Sequence, residues 1–130
     1  MNLEQAIHAH WADSAALESV LSADRLTTGR TSRGTTPYAT LQLRAIRREL
    51  PTNQGPAAIR IDFRINVWHD QYDEAKTIAE QVAEAFDRAS LELADSDRVA
   101  RVRHATDTVR QHADGRWQWT VDFVARVCLM

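Results

Sequence analysis

The segment from 58 to 69 constrains this chain more than any other. Ile59, Ile61, Phe63, Ile65 and Val67 alternate with Arg60, Asp62, Arg64, Asn66 and Trp68. Successive side chains of a strand point to opposite faces. An alternation this long therefore means extended backbone with an oily face that must be covered and a polar face left to water or a partner. Such a strand needs a neighbour, and its oily face needs a layer over it.

The flanking sequence supplies both. Over 38–49, Ala39, Leu41, Leu43 and Ala45 alternate with Thr40, Gln42 and Arg44, which predicts a second strand. Leu50-Pro51-Thr52-Asn53-Gln54-Gly55-Pro56 is a turn-rich connection, so the two strands form a hairpin with a long loop. After 69 the period changes to that of a helix. Asp70 reads as its N-cap, and Asp73 and Glu74 put negative charge in the first turn, where the helix dipole favours it. Tyr72, Ala75, Ile78, Ala79, Val82, Phe86, Ala89 and Leu93 make an apolar stripe of about six turns, closed by Asp95-Ser96-Asp97. Val82 and Phe86 are expected against Phe63, Ile65 and Phe123.

The last third reads as a second hairpin. Asp114-Gly115 is a two-residue type I′ turn signal. Setting Ala113 opposite Arg116 pairs Trp117 with His112, Val121 with Thr108 and Val127 with Val102. Trp117, Trp119, Val121, Phe123, Ala125, Val127 and Leu129 then share the core face with Ala100, Val102, Thr106 and Thr108. Arg101, Arg103, Asp107, Gln118, Thr120, Asp122 and Arg126 take the other face. At the N-terminus, Leu3, Ile7 and Trp11 form a helical stripe, and Ser14 can cap a second short helix carrying Leu17, Val20 and Leu21. One kinked helix and two short ones both fit. Residues 24–37 read as a polar, glycine-punctuated loop, either mobile or ordered by a partner. The expected fold is α+β in the order α-β-β-α-β-β: one mostly antiparallel four-stranded sheet with helices packed on one face, a single domain over 1–130.

Bulk properties bound the function. The 130 residues suit one domain with a core of its own. The net charge of −2 gives no global pull toward nucleic acid or an anionic membrane. Fifteen arginines stand against one lysine, Lys76, which suits bidentate ion pairs and interfaces, or reflects codon usage. The lone Cys128 excludes a disulfide framework and a cysteine-type zinc site, and fits a reducing compartment. No signal peptide and no membrane-spanning apolar run is visible.

Chemistry-bearing motifs are sparse. His8 and His10 lie on different sides of a helix, His69 adjoins Asp70, and His104 and His112 are too far apart on one strand to chelate one ion. There is no HExxH, CxxC, GxSxG or phosphate-cradling glycine loop. Cofactors, metals and catalytic residues are therefore set at none. Asp62 and Asp122, on the polar sheet face, can be read as an acid/base pair. Flanking Arg60, Arg64 and Arg126 make cross-strand ion pairs the simpler account. The same face, with Arg44, Arg101, Arg103 and Trp68, keeps a nucleic-acid or small-ligand binding module as the alternative reading, although it lacks an aromatic pair in mid-strand. Trp117 and Trp119 are core packing or an interface anchor.

Read in full, the chain resembles the tail-terminator, tail-completion and tail-to-head joining proteins of long-tailed phages and related prophage elements. The motifs are Leu17…Leu21, Arg25-Leu26 before a Gly-containing loop, and Pro37-Tyr38-Ala39-Thr40-Leu41 opening a strand. The strongest is Arg64-Ile65-Asn66-Val67-Trp68-His69-Asp70-Gln71-Tyr72-Asp73-Glu74-Ala75, which is similar to the family's V-x-V-W-x-x-x-Y-x-E-A stretch. Val121-Asp122-Phe123-Val124-Ala125-Arg126-Val127 fits the family's last strand. Residues 92–104 carry more charge than the family's connection. The resemblance implies a non-enzymatic subunit of a homo-oligomeric ring, a hexamer, with tail-tube and neck or connector proteins as partners. It implies assembly in the host cytoplasm and a final place in the virion tail. Contacts are expected from loops 24–37 and 50–57 and from Arg30, Arg33, Arg60, Arg64, Trp68 and Arg126.

Overall fold

The computed structural model describes residues 2–29, 35–49, 57–93 and 98–128. Arg30, Arg33, the connection 50–56 and Asp95-Ser96-Asp97 lie outside the described residues.

The two long alternating segments form the strands their period demands. Tyr38–Glu49 (β2) and Ala58–His69 (β3) pair antiparallel, from Tyr38 opposite Trp68 to Glu49 opposite Ala58. Ile61, Phe63, Ile65 and Val67 are buried on one face of β3. Trp117–Cys128 (β6) lies on its other side, with Phe63 opposite Phe123 and Ile65 opposite Val121. Val99–Gln111 (β5) pairs with β6.

The expected four-stranded sheet is corrected to a six-stranded, mixed, curled sheet, a half-barrel. Two short strands were not read from the sequence. Leu26–Thr28 (β1) runs parallel to β2, and Ser90–Glu92 (β4) runs antiparallel to β5. The order across the sheet is β1-β2-β3-β6-β5-β4. Three residues are too few to display a period, so their neighbours alone define them. The long elements keep the expected chain order.

The N-terminal segment resolves into two helices, Leu3–Asp13 (α1) and Ala15–Val20 (α2). Asn2 caps the first by accepting the Gln5 N–H at 3.0 Å. Ser14 caps the second by accepting the Leu17 N–H at 3.3 Å. Trp11, fully buried, donates its indole N–H to the Leu21 carbonyl at 2.9 Å and ties the turn after α2 to α1.

The third helix, Tyr72–Phe86 (α3), is shorter than its stripe suggested. Ala89 and Leu93 lie beyond it, around β4, where alternation with Leu91 mimicked the helical period. Its N-cap is Gln71 without a side-chain bond, not Asp70. His69 organises this end instead. Its Nδ1 accepts the Gln71 N–H at 2.9 Å, which leaves the proton on Nε2 to meet Glu74 at 2.8 Å. The helix ends at Asp87 and Arg88, the latter in the left-handed region with φ 64°. The Arg88 N–H donates to the Val102 carbonyl, and Asp87 accepts the His104 N–H, so the turn is stitched to β5. Phe86 meets the ring of Phe123 edge-on at 5.8 Å, and Phe63 stacks on Phe123 at 5.1 Å. Helices and sheet thus share one buried cluster, with Leu3, Ile7 and Trp11 beside α3 and the inward residues of β3 and β6.

The second hairpin corrects the predicted register. His112 donates to the Arg116 carbonyl, and the Gly115 N–H returns to the His112 carbonyl, so the loop is Ala113-Asp114-Gly115, one residue longer than a type I′ turn. Gly115 supplies φ 90°, and a Cβ there would meet nothing within 4 Å, so backbone conformation rather than space demands glycine. Trp117 therefore faces Gln111, and Val121 faces Asp107. A bulge between His104 and Thr106 adds a second shift, so that Val127 faces Ala100. Ala100 and Val102 stay in the core as expected. Thr106 and Thr108 go to the open face, and Asp107 moves to the helix side.

Candidate interaction face

The open face of the sheet is a set of rungs across β2, β3, β6 and β5. The first is aromatic. Trp68 stacks on Tyr38 at 6.0 Å and tilts against His112 at 4.9 Å. The Arg116 guanidinium sits 5.0 Å above the indole and donates to the Tyr38 hydroxyl at 2.8 Å. Asp114 also accepts from Arg116 at 2.8 Å, and this bond raises the Arg116 pKa further. Tyr38 and Trp68 are only 3% and 8% exposed, so the hairpin tip seals this end of a face otherwise open to water.

The second rung is a buried amide–hydroxyl network. Asn66 Oδ1 accepts from Thr120 at 2.8 Å and from Gln118 at 2.9 Å, and its amide donates to Thr40 at 3.4 Å. Thr40, Asn66 and Thr120 are the buried polar residues of the fold among the described residues. Each is satisfied by another, as most buried polar groups are.

Below these lie the charges. Arg64 grips Asp122 with two bonds, 2.8 and 3.3 Å, and Thr106 adds its hydroxyl to the same carboxylate at 3.3 Å. Asp62 accepts from Arg60 at 3.0 Å and from Arg47 at 3.3 Å. Partial burial would raise the Asp62 pKa, but the bonds and charges of Arg60 and Arg47 outweigh it and hold the carboxyl below its ordinary value. Arg47, Arg60, Arg126 and Arg101 fall opposite one another as a row across four strands. Like charges in register repel. Asp62 and Glu49, the latter 3.0 Å from Arg126, offset that repulsion.

Asp62 and Asp122 are thus each held by arginine, in a form suited to fixing strands rather than to moving protons. Among the described residues, no group of three or more His, Cys, Asp or Glu side chains could hold a metal ion. No helix is long and apolar enough to cross a membrane, again among those residues.

Of the six residues singled out from the sequence, Arg60, Arg64 and Arg126 share this open face with Trp68, which is covered by Arg116. Arg30 and Arg33 are outside the described residues. Sequence reasoning missed Tyr38, Thr40, His112, Arg116 and the role of Asn66. The alternation put Asn66 and Thr40 on the polar face, but only the register shows that they meet.

The edges of the sheet carry a different surface. β1 covers β2 only at Ala39–Leu41, and β4 covers β5 only at Val99–Arg101. Beyond these, residues 42–49 of β2 and 105–111 of β5 lie toward opposite ends and opposite edges of the sheet, largely exposed. Ile46, opposite Ile61 and so on the helix side, is 65% exposed because no helix reaches it. Val109, opposite Trp119, is 42% exposed. Tyr72, 39% exposed, meets Trp117 and Trp119 at 5.0 and 5.4 Å.

Charge is also divided between layers. The helical segments, including the 3-10 turn Ala23–Arg25, hold Glu4, Asp13, Glu18, Asp24, Asp73, Glu74, Glu80 and Glu84 against Arg25 and Lys76, whereas arginine dominates the long strands.

Comparison with known proteins agrees with this architecture. A chain from the virion of a native gene transfer agent particle is 19% identical, with a TM-score of 0.73 over 97% of this chain and 94% of that one. A second solved chain is 12% identical, with a TM-score of 0.61 over 98% and 96%. At such identities the likeness is one of fold. No curated protein sequence matches the chain. The profile of the family described as tail completion protein gp17 matches residues 5–128, nearly the whole chain, and the chain belongs to that family.

Proposed function

We propose that this chain is a structural, non-enzymatic subunit of a homo-oligomeric ring, six-membered as the resemblance to tail-terminator proteins implies. The ring completes a phage-type tail or joins it to the head. The observation that carries the reading is the family match over residues 5–128, which includes the strand-to-helix stretch Arg64–Ala75. The likeness in fold to a chain of a gene transfer agent virion supports it. So does the division of charge, since a ring needs each subunit to present two different surfaces. The partners of this reading are further copies of the chain, a tail-tube protein and a neck or connector protein. Assembly takes place in the host cytoplasm, and the finished ring sits in the virion tail.

Nucleic acid is the weaker reading of the open sheet face: Arg47, Arg60, Arg64 and Arg126 are each paired with a carboxylate of the same chain, which leaves Arg44, Arg101 and Arg103 as unpaired cations among the described residues. Negative-stain microscopy and light scattering of the purified chain, alone and with its tail-tube protein, test the proposal. Closed rings are expected. A monomer under both conditions contradicts it.

A further inference from the structure

The centre of the open face is held by ion pairs within the chain, whereas two corners of the sheet expose apolar side chains. At the first, Ile46 stands on the uncovered end of β2 with Leu43 and Ile59 on the same side. Arg48, opposite Ile59 and so on the same side as Ile46, makes no ion pair among the described residues. Arg44, at a bulge between Leu43 and Ala45, turns instead to the open face beside Asp62 and Asp122. At the second corner, Tyr72, Val109, Trp117 and Trp119 form an aromatic patch. Asp70 and Asp73 stand beside it in sequence, exposed and without an ion pair among the described residues.

Each corner has an apolar centre beside unpaired charge, the anatomy of a protein interface: Arg48 at the first, and two carboxylates, Asp70 and Asp73, against one cation, Arg110, at the second, so the net signs are opposite. One corner offers an aliphatic knob, the other a bed of Tyr and Trp, the residue types that anchor interfaces. They lie at opposite ends of the strands and opposite edges of the sheet, so one copy cannot bring its own two corners together.

We infer that the Ile46 corner of one copy docks on the Tyr72–Val109–Trp117–Trp119 corner of the next, and that this head-to-tail contact closes the assembly. The inference rests on the ring reading above and names its contact. A contact between two unlike surfaces propagates from copy to copy and ends only by closing.

Two full-length variants test it. Ile46→Asp and Val109→Asp are studied alone and mixed in equal amounts by analytical ultracentrifugation, with thermal unfolding to confirm that each folds. Alone, each is expected to associate about tenfold more weakly or worse, the loss usual for an anchor residue. In the mixture, Ile46→Asp keeps an intact aromatic corner and Val109→Asp keeps an intact Ile46 corner. One contact can form and no second, so a heterodimer appears and nothing larger. If either substitution unfolds the chain, Ile46→Ser and Val109→Ser take their place.

Wild-type assembly by either variant overturns the inference and leaves the ring reading standing. So does a mixture that stays monomeric while wild type forms rings. Loss of tail-tube binding by Ile46→Asp with self-association intact assigns that corner to another partner, and also overturns it. Wild type that never self-associates removes the ring reading itself.

Discussion

The centre of the sheet and its two uncovered corners are built from the same kind of strand, yet they differ in what surrounds them. In β3 and β6 every inward residue from Ile61 to Val67 and from Val121 to Val127 is shut beneath the helices, and the outward residues are bonded to one another. In β2 beyond Leu43 and β5 beyond Ala105, the strands continue but the covering layer stops. Ile61 is 2% exposed, and Ile46, its partner in the register, is 65% exposed. An identical side chain in the same rung does two different jobs, because burial depends on what lies above it. The centre holds the subunit together, and the corners are left with surface to give to another molecule.

Substitutions should separate these regions. The largest effect is expected at Phe123, which stacks on Phe63 and meets Phe86 and His104. Phe123→Ala should lower stability by about 3–5 kcal/mol in chemical denaturation, a loss large enough to unfold much of a typical domain. Asn66→Ala should cost about 1–3 kcal/mol, since it strands Thr120 and Gln118 without their acceptor. A loss well under that range would mean that the open face is not ordered by its own network.

The third effect depends on pH. Asp62, Asp87 and Asp114 all have folded pKa values below the ordinary 3.8. A carboxyl lowered by folding stabilises the protein at higher pH, and that contribution disappears as pH falls through the folded value. Asp62→Asn should therefore be less stable than wild type near neutrality, and the two stability curves should converge below the ordinary carboxylate range. Parallel curves would show that the Arg60 and Arg47 bonds do nothing for folding. The smallest effect is expected at the corner: Ile46→Ser should change the stability of the isolated subunit by less than about 0.5 kcal/mol.

The contrast also explains what could be read in advance. The limits of β2 and β3 follow from alternation, because each strand is long and has one sealed face. Ser14 was legible as a cap because its role is local. Register was not. It depends on one extra residue in the Ala113–Gly115 loop, one at the His104/Thr106 bulge and one at a bulge between Leu43 and Ala45, which sends Ala45 to the open face, against the expected alternation, and turns Ile46 to the helix side. β1 and β4 exist only through their neighbours, and the end of α3 was hidden because Ala89, Leu91 and Leu93 continue an apolar rhythm. Of the face, Arg60, Arg64 and Arg126 were visible by parity. The covering of Trp68 by Arg116 and His112 was not, since it requires a hairpin tip to reach the far ends of β2 and β3.

Hydrogen exchange of the isolated and the assembled protein, followed segment by segment, addresses the division between centre and corners directly. Slow exchange at Ile61–Val67 and Val121–Val127 in both states is predicted, with protection gained on assembly at 42–49, at 105–111 and in the first turn of α3. Assembly that protects the middle of α3 and leaves both corners exchanging as freely as before would contradict it.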